Sequence, residues 1–181
     1  MKARLLPAHM AAMGFVVLLM VAAAVSPLRA GPAPDFTLPN IDGKDVTLSE
    51  ALSEGPVIID FWATWCKPCI KGFPSLQGIY DKYRERGLRV FAISVDSPRS
   101  RARVGPLIRS KKYTFEVLLD TQGRVAKKYN AVALPRTVLL NTDGEIVLAT
   151  VGYRPSNHEK LEEALLPILQ AKAGEDTKGA D

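Results

Sequence analysis

The only two cysteines of this 181-residue chain follow directly after an apolar segment of strand length. That segment, residues 57–62, reads VIIDFW, and the cysteines occupy positions 66 and 69 of the sequence WCKPC. A helical pattern of apolar residues then continues to about residue 86, where a glycine ends it. A buried strand that leads into a helix at a C-x-x-C motif predicts an α/β fold whose reactive groups lie at that junction.

The rest of the pattern alternates strands with helices. Residues 88–95, 115–119, 137–140 and 146–151 are predicted strands, and residues 124–129 and 157–170 are predicted helices. Asn141-Thr142-Asp143-Gly144 is a hairpin signal between the last two strands. Pro74 is expected to kink the long helix, Ser97-Pro98 to begin the next helix and Gly105-Pro106 to interrupt it. The fold class predicted is α/β, with a central mixed sheet flanked by helices on both faces.

The two ends of the chain differ from this domain in composition. Residues 1–30 have a basic start and an apolar stretch, the layout of a secretory signal peptide. The uncharged interval between Arg4 and Arg29 is also nearly long enough to span a bilayer, so an uncleaved N-terminal membrane anchor is the alternative. Either reading predicts an extracytoplasmic, periplasmic location, with the protein secreted or tethered to the membrane. Residues 31–170 form the predicted domain, and the polar residues 171–181 are predicted to be disordered.

The charge of the chain is concentrated in two segments. The net charge is +5, and Lys2, Arg4 and Arg29 in the leader contribute three positive charges without any acid nearby. The remaining 21 basic and 19 acidic residues are too balanced for a nucleic-acid-binding protein. A basic run, Arg99–Lys112, is favoured as a solvated helix face, and docking on anionic lipid or an acidic client is the alternative.

The C-x-x-C motif suits thiol–disulfide exchange. At a helix N-terminus the free backbone N–H groups and the helix dipole stabilise a thiolate, lowering a thiol pKa from about 8.5 to roughly 3.5–7.5. Lys67 adds a positive charge, and Pro68 suits an early helical position. Cys66 can therefore capture a disulfide, and Cys69, one turn further on, can resolve the mixed disulfide.

Other roles for the cysteine pair have less support. A structural zinc site needs about four ligands, and the chain adds only His9, in the leader, and His158. A structural disulfide that closes so short a loop stabilises little. The sequence therefore predicts neither a metal nor any other cofactor, and His158 is given no functional role.

Several segments resemble the thioredoxin superfamily. VIIDFWATWCKPC is similar to the strand-to-helix junction of thioredoxins. The apolar leader, the PAPDFTL opening, the TDG turn and the central insertion at residues 97–116 resemble the extracytoplasmic TlpA/ResA branch. The resemblance covers about residues 32–170. It implies a thioredoxin-like fold with an N-terminal extension, and a protein-disulfide reductase whose partners are disulfide-bearing protein clients and a membrane dithiol electron donor.

The resemblance also assigns roles to particular residues. Leu134-Pro135 matches the position of a cis-proline that faces the cysteine pair in this superfamily. Asp60 interrupts an apolar strand, where desolvation should raise its pKa, and the resemblance implies that it helps to deprotonate Cys69.

Client contacts are predicted around the cysteines, at Trp65, Lys67, Pro68, Leu134 and Arg136. Two positions depart from the family pattern. Gly72 stands where ResA-type proteins have a glutamate, which puts a dedicated role in cytochrome c maturation in doubt. Arg136 stands where threonine is common; its cation is either a client contact that also favours the Cys66 thiolate, or a solvated side chain.

Two alternative functions remain open on the sequence alone. PAPDFTL openings also occur in peroxiredoxins, although residues 61–69 lack the Pro-x-x-x-Thr/Ser-x-x-Cys context of the peroxidatic cysteine. A non-catalytic binding module or copper-handling chaperone on the same fold is the second alternative. The tight C-x-x-C spacing and the position of His158 do not match the copper pattern.

Overall fold

Two sheets are present in the part of the chain that the computed structural model describes, residues 32–178. Strands β1 (Thr37–Pro39) and β2 (Asp45–Thr47) pair antiparallel in the N-terminal extension. The central sheet contains, in chain order, β3 (Val57–Trp62), β4 (Arg89–Ser94), β5 (Glu116–Leu119), β6 (Arg136–Leu140) and β7 (Ile146–Val151). Their spatial order is β5-β4-β3-β6-β7, with β3, β4 and β5 parallel and β6 and β7 antiparallel to their neighbours. The predicted mixed sheet is thus confirmed.

Helices cover both faces of the central sheet. In chain order they are α1 (Leu48–Glu54), α2 (Lys67–Tyr83), α3 (Val104–Lys111), α4 (Arg124–Lys128) and α5 (Pro155–Lys178). Buried side chains of α2, α3 and α5 pack with Ile58 and Trp62 of β3, and those of α1 and α4 pack with Ile59 and Phe61. Because β3 is buried on both faces, its sequence is an almost continuous apolar run.

The long helix α2 begins and ends close to the predicted residues. Pro74 lies inside it and does not divide it. A short 3-10 turn, Arg84–Arg86, follows, and Gly87 ends the segment with a φ of +89°. The backbones of Gly55 and Gly87 approach so closely that a β-carbon at residue 55 would lie 2.2 Å from the Gly87 carbonyl oxygen. This close approach, just before the starts of β3 and β4, requires glycine at residue 55.

The central insertion differs from the prediction. The Ser97 carbonyl accepts the N–H groups of Ser100 and Arg101, so Ser97-Pro98 opens a turn. Helix α3 begins only at Val104, which places Pro106 in its first turn rather than at an interruption. A proline is tolerated there because N–H groups of the first turn have no partner within the helix.

Helix α5 is longer than predicted. It continues past Gln170 to Lys178, through a segment in which alanine, lysine and glutamate, all good helix formers, predominate. The structure therefore differs from the expected disordered tail over residues 171–178. The predicted leader, residues 1–30, lies outside the described residues. Within residues 32–178, no helix combines the length and the apolar character needed to cross a membrane.

Candidate active site

The two cysteines lie where β3 passes into α2. Cys66 is the N-cap residue of α2, and its sulfur accepts the backbone N–H of Cys69 at 3.3 Å. The two side chains form a disulfide bond and are almost completely buried. Pro68 lies in the first turn of the helix, where its missing N–H costs nothing. The sulfur of Cys66 is therefore at a helix N-terminus, as the sequence predicts.

A buried carboxylate holds the loop that leads to Cys66. The Thr64 backbone N–H donates to Asp96 Oδ2 at 2.7 Å, and the Thr64 hydroxyl donates to Asp96 Oδ1 at 2.6 Å. The hydroxyl of Ser94, at the end of β4, donates to Asp96 Oδ2 at 2.9 Å. Asp96 is not among the residues predicted from the sequence. A serine and an aspartate at the end of an apolar strand are visible there, but they do not indicate which loop they contact.

Cys66 opens onto an apolar groove of about 1090 Å³. The groove brings together four of the predicted client contacts, namely Trp65, Lys67, Pro68 and Leu134. Its far wall comes from α4 and the loop after it, including Val132, whose side chain is 89% exposed. Trp65 is 67% exposed beside the sulfur. An open apolar surface next to a reactive sulfur is suited to binding an extended or partly unfolded polypeptide.

Cys69 lines a different space, a crevice of about 10 Å³ on the other side of the disulfide. That volume is about enough for one water molecule. The crevice is lined by residues from β3, α2, β6 and the start of α5, among them Asp60, Cys69, Gly72, Pro135, Thr137, Tyr153 and His158. No described residue lines both the groove and this crevice. The two sulfurs of one disulfide therefore face separate spaces.

Asp60 is the one carboxylate in the crevice lining. It is 5% exposed, and the Thr137 hydroxyl donates to its Oδ1 at 2.7 Å. Burial raises the pKa of Asp60 from 3.8 to about 7, against the opposing effect of the Thr137 hydrogen bond. Asp60 and Thr137 are paired between β3 and β6, which puts both on the face where Cys69 lies. The Leu134-Pro135 peptide bond just before is cis.

Arg136 is not brought to the cysteine pair. It follows Pro135 and precedes Thr137, both of which line the crevice, and it lines neither the crevice nor the groove itself. Its Nε is buried and has no hydrogen-bond partner among residues 32–178. Successive side chains of a strand point to opposite faces, which explains why Arg136 is separated from its two neighbours.

His158 is the reverse case, because no functional role is predicted for it from the sequence and yet it lies at the site. It lines the crevice that contains Cys69 and Asp60. The contact joins the start of α5 to α2 across a long stretch of chain, and no local pattern around His158 signals it. Among residues 32–178, no group of three or more histidine, cysteine, aspartate or glutamate side chains is placed to hold a metal ion.

Comparison with known proteins gives consistent results. A sequence profile described as the AhpC/TSA family matches residues 30–149. The thiol-disulfide oxidoreductase ResA of Bacillus subtilis is 33% identical over 142 residues, which cover 78% of each chain. The sporulation thiol-disulfide oxidoreductase A of the same organism is 29% identical over 161 residues, covering 88% of this chain and 95% of that protein.

Solved structures show the same likeness. A Chlorobium tepidum protein assigned as a thiol:disulfide interchange protein DsbE has a TM-score of 0.71 at 32% identity, covering 80% of this chain and 99% of that one. StoA from Bacillus subtilis has a TM-score of 0.62 at 29% identity, covering 75% of this chain and 98% of that one.

Proposed function

The chain belongs to the AhpC/TSA family and is a thiol-disulfide oxidoreductase, and from this premise we propose that it reduces protein disulfides outside the cytoplasm. The observation that carries the proposal is the placement of the two sulfurs. Cys66 combines a helix N-terminus with an open apolar groove, and Cys69 lies behind it in a crevice with Asp60.

The proposed reaction has two exchange steps. The Cys66 thiolate attacks one sulfur of a client disulfide, the client S–S bond breaks, and the released client thiolate takes up a proton. The Cys69 thiolate then attacks the Cys66 sulfur, which breaks the mixed disulfide, frees the second client thiol and forms the Cys66–Cys69 disulfide. Two electrons pass from the protein to the client. A membrane dithiol donor returns two electrons and two protons.

Cys66 is proposed as the attacking thiol. In the reduced protein its thiolate is stabilised by the free N–H groups at the start of α2 and by the nearby charge of Lys67. We expect its pKa to lie below the value of about 8.5 for a free cysteine. Trp65, Lys67, Pro68 and Leu134 are the proposed client contacts, because all four line the groove beside this sulfur.

Asp60 is proposed as the proton acceptor for Cys69. A carboxyl group with a pKa of about 7 is near half-ionised at neutral pH and can both take and return a proton. The crevice between them is about the size of one water molecule, which would bridge the two groups. Pro135 is proposed to shape the wall of this space and hold the two groups in place.

The extracytoplasmic location and the domain boundaries are part of the same proposal. The leader, residues 1–30, is proposed to direct the domain across the cytoplasmic membrane, as a signal peptide or as an anchor. Residues 31–170 are the proposed catalytic domain. A peroxidase function is less well supported, because Ile59 and Ala63 stand where a peroxidatic Cys66 would be preceded by proline and by threonine or serine.

Trapping of the mixed disulfide tests this proposal. In a Cys69→Ser variant, Cys66 is the sole thiol of the chain, so any linked client must be joined through it. We expect clients that are released by reductant from Cys69→Ser and are missing from a matched Cys66→Ser preparation. Full disulfide-reductase activity of Cys66→Ser would contradict the proposal. Rapid consumption of peroxide by the Cys69→Ser protein would favour the peroxidase instead.

A further inference from the structure

The crevice behind Cys69 contains an imidazole that the proposed reaction does not use. His158 lies near the start of α5 and is half-buried, and its Nδ1 is buried without a hydrogen-bond partner among residues 32–178. A buried polar nitrogen without a partner costs free energy. Its position therefore calls for an explanation other than stability.

Gly72 makes room for this imidazole. A β-carbon at residue 72 would lie 3.0 Å from Cδ2 of Tyr153 and 3.3 Å from Cε1 of His158. The two rings contact each other, with centroids 5.6 Å apart. A larger residue at position 72 would push the rings away from α2, so the glycine in α2 and the histidine in α5 belong to one arrangement.

His158 also reaches a second, outer space. A surface cavity of about 410 Å³ lies between α2 and α5 and is lined by Ser75, Lys82, Glu159 and Glu162 together with His158. Among the described residues, His158 is the one residue common to the linings of this cavity and of the Cys69 crevice. It therefore stands between the buried crevice and solvent.

We propose that His158 carries protons between the crevice of Asp60 and Cys69 and the outer cavity. The inference rests on the proposed function and deepens it. When Cys69 attacks the mixed disulfide, its proton passes to the Asp60 carboxylate. The imidazole then accepts this proton from the crevice at one ring nitrogen and releases one to solvent from the other. No electrons move in this step, and re-reduction of the disulfide reverses the direction of the protons.

The surroundings of His158 favour an imidazole that is neutral before it accepts a proton. Burial lowers the pKa of His158 below its ordinary value of 6.5. Lys82 and Glu162 form an ion pair and largely offset each other. The titratable and charged groups that face His158 from the surrounding elements are Asp60, Cys69, Tyr153, Lys71 over the Tyr153 ring, Lys82, Glu159 and Glu162.

A two-phase exchange assay isolates the step. When the reduced full chain reacts with dithiobis(nitrobenzoic acid), attack by Cys66 releases one coloured thiolate and attack by Cys69 on the mixed disulfide releases the second. General acid–base groups contribute about 10²–10⁴-fold, and we expect a smaller effect, about tenfold, for a group behind Asp60. His158→Gln should slow the second phase by that factor at neutral pH and leave the first within about twofold.

The pH profile and a control separate proton transfer from a packing role. Protonation of Asp60 should slow the second phase below about pH 7 in both proteins. The wild type should slow further at lower pH as His158 becomes protonated, whereas His158→Gln should lack that further decrease, and added imidazole should restore part of its rate. Glu163→Gln, an exposed carboxylate on the same helix that lines neither the crevice nor the outer cavity, should match the wild type.

Three results would overturn the inference. They are an unchanged second phase with an unchanged pH profile, an equal slowing of both phases, and a lost second phase that imidazole does not restore. A wild-type protein without a first phase would instead refute the proposed function, and the inference with it.

Discussion

Asp60→Asn should make the protein more stable at neutral and alkaline pH, with a gain that grows from about pH 4 to about pH 7 and is constant above that range. Asp60 is buried, and its pKa in the folded protein is about 7 against an ordinary value of 3.8. Between these values the folded protein holds a proton that the unfolded chain has released. Stability therefore falls as the pH rises from about 4 to about 7 and is constant above that range.

The size of the effect follows from the two pKa values. At about 1.4 kcal/mol per pKa unit, the change from 3.8 to about 7 corresponds to about 4 kcal/mol. Asparagine does not titrate, and its side-chain oxygen can still accept the Thr137 hydroxyl. Burying the amide carries a cost of about 1–3 kcal/mol, but that cost is the same at every pH. The difference between variant and wild type should thus grow by about 4 kcal/mol between pH 4 and pH 8.

Urea unfolding of the oxidised proteins across this pH range measures the difference directly. Asp42→Asn is the matched control, because Asp42 is an exposed carboxylate in the turn after β1; its profile should run parallel to that of the wild type. A gap between Asp60→Asn and wild type that stays constant with pH would show that burial does not raise the pKa of Asp60. That result would refute the assignment of Asp60 as the proton acceptor for Cys69.

Four further substitutions test the loop, the helix and the groove. Asp96→Asn should lower the free energy of unfolding by about 2–3 kcal/mol, seen in urea unfolding, because an amide nitrogen replaces an acceptor of buried hydrogen bonds. Gly78→Ala should stabilise α2 by about 0.5–1 kcal/mol. Gly72→Ala should not, because its β-carbon would meet the Tyr153 ring at 3.0 Å. Equal melting temperatures of these two variants would contradict this. Trp65→Ala should lower kcat/KM about tenfold for a protein disulfide, by loss of about 1.4 kcal/mol of apolar contact, and leave a small aromatic disulfide unaffected; an equal loss for both would contradict a role in client binding.

The sequence predicts those features whose causes are local. The bounds of β3 and β7 follow from an apolar run and a hairpin turn. The start of α3 could not be predicted from the sequence, because Ser97-Pro98 can form a turn as readily as it begins a helix. Arg136 could have been placed by strand alternation, since Pro135 next to it was expected on the cysteine side.

The surroundings of the two sulfurs were harder to predict than the sulfurs themselves. The C-x-x-C motif gives the position of Cys66 at the helix N-terminus, because that depends on neighbouring residues. Asp96 and His158 reach the site from β4 and α5, and their roles depend on packing between elements that are distant in the chain. A single sequence carries no local signal for such contacts.

Within residues 32–178, the groove at Cys66 and the crevice at Cys69 share no lining residue, so the proposed client site is separate from the proposed route of the protons. A client that fills the groove leaves the crevice and the outer cavity uncovered. The attack of Cys69 on the mixed disulfide can therefore be completed while the client is still bound. Substitutions around the groove can also change which polypeptides are accepted without disturbing the acid–base groups. Client choice and pH response can therefore diverge independently during evolution.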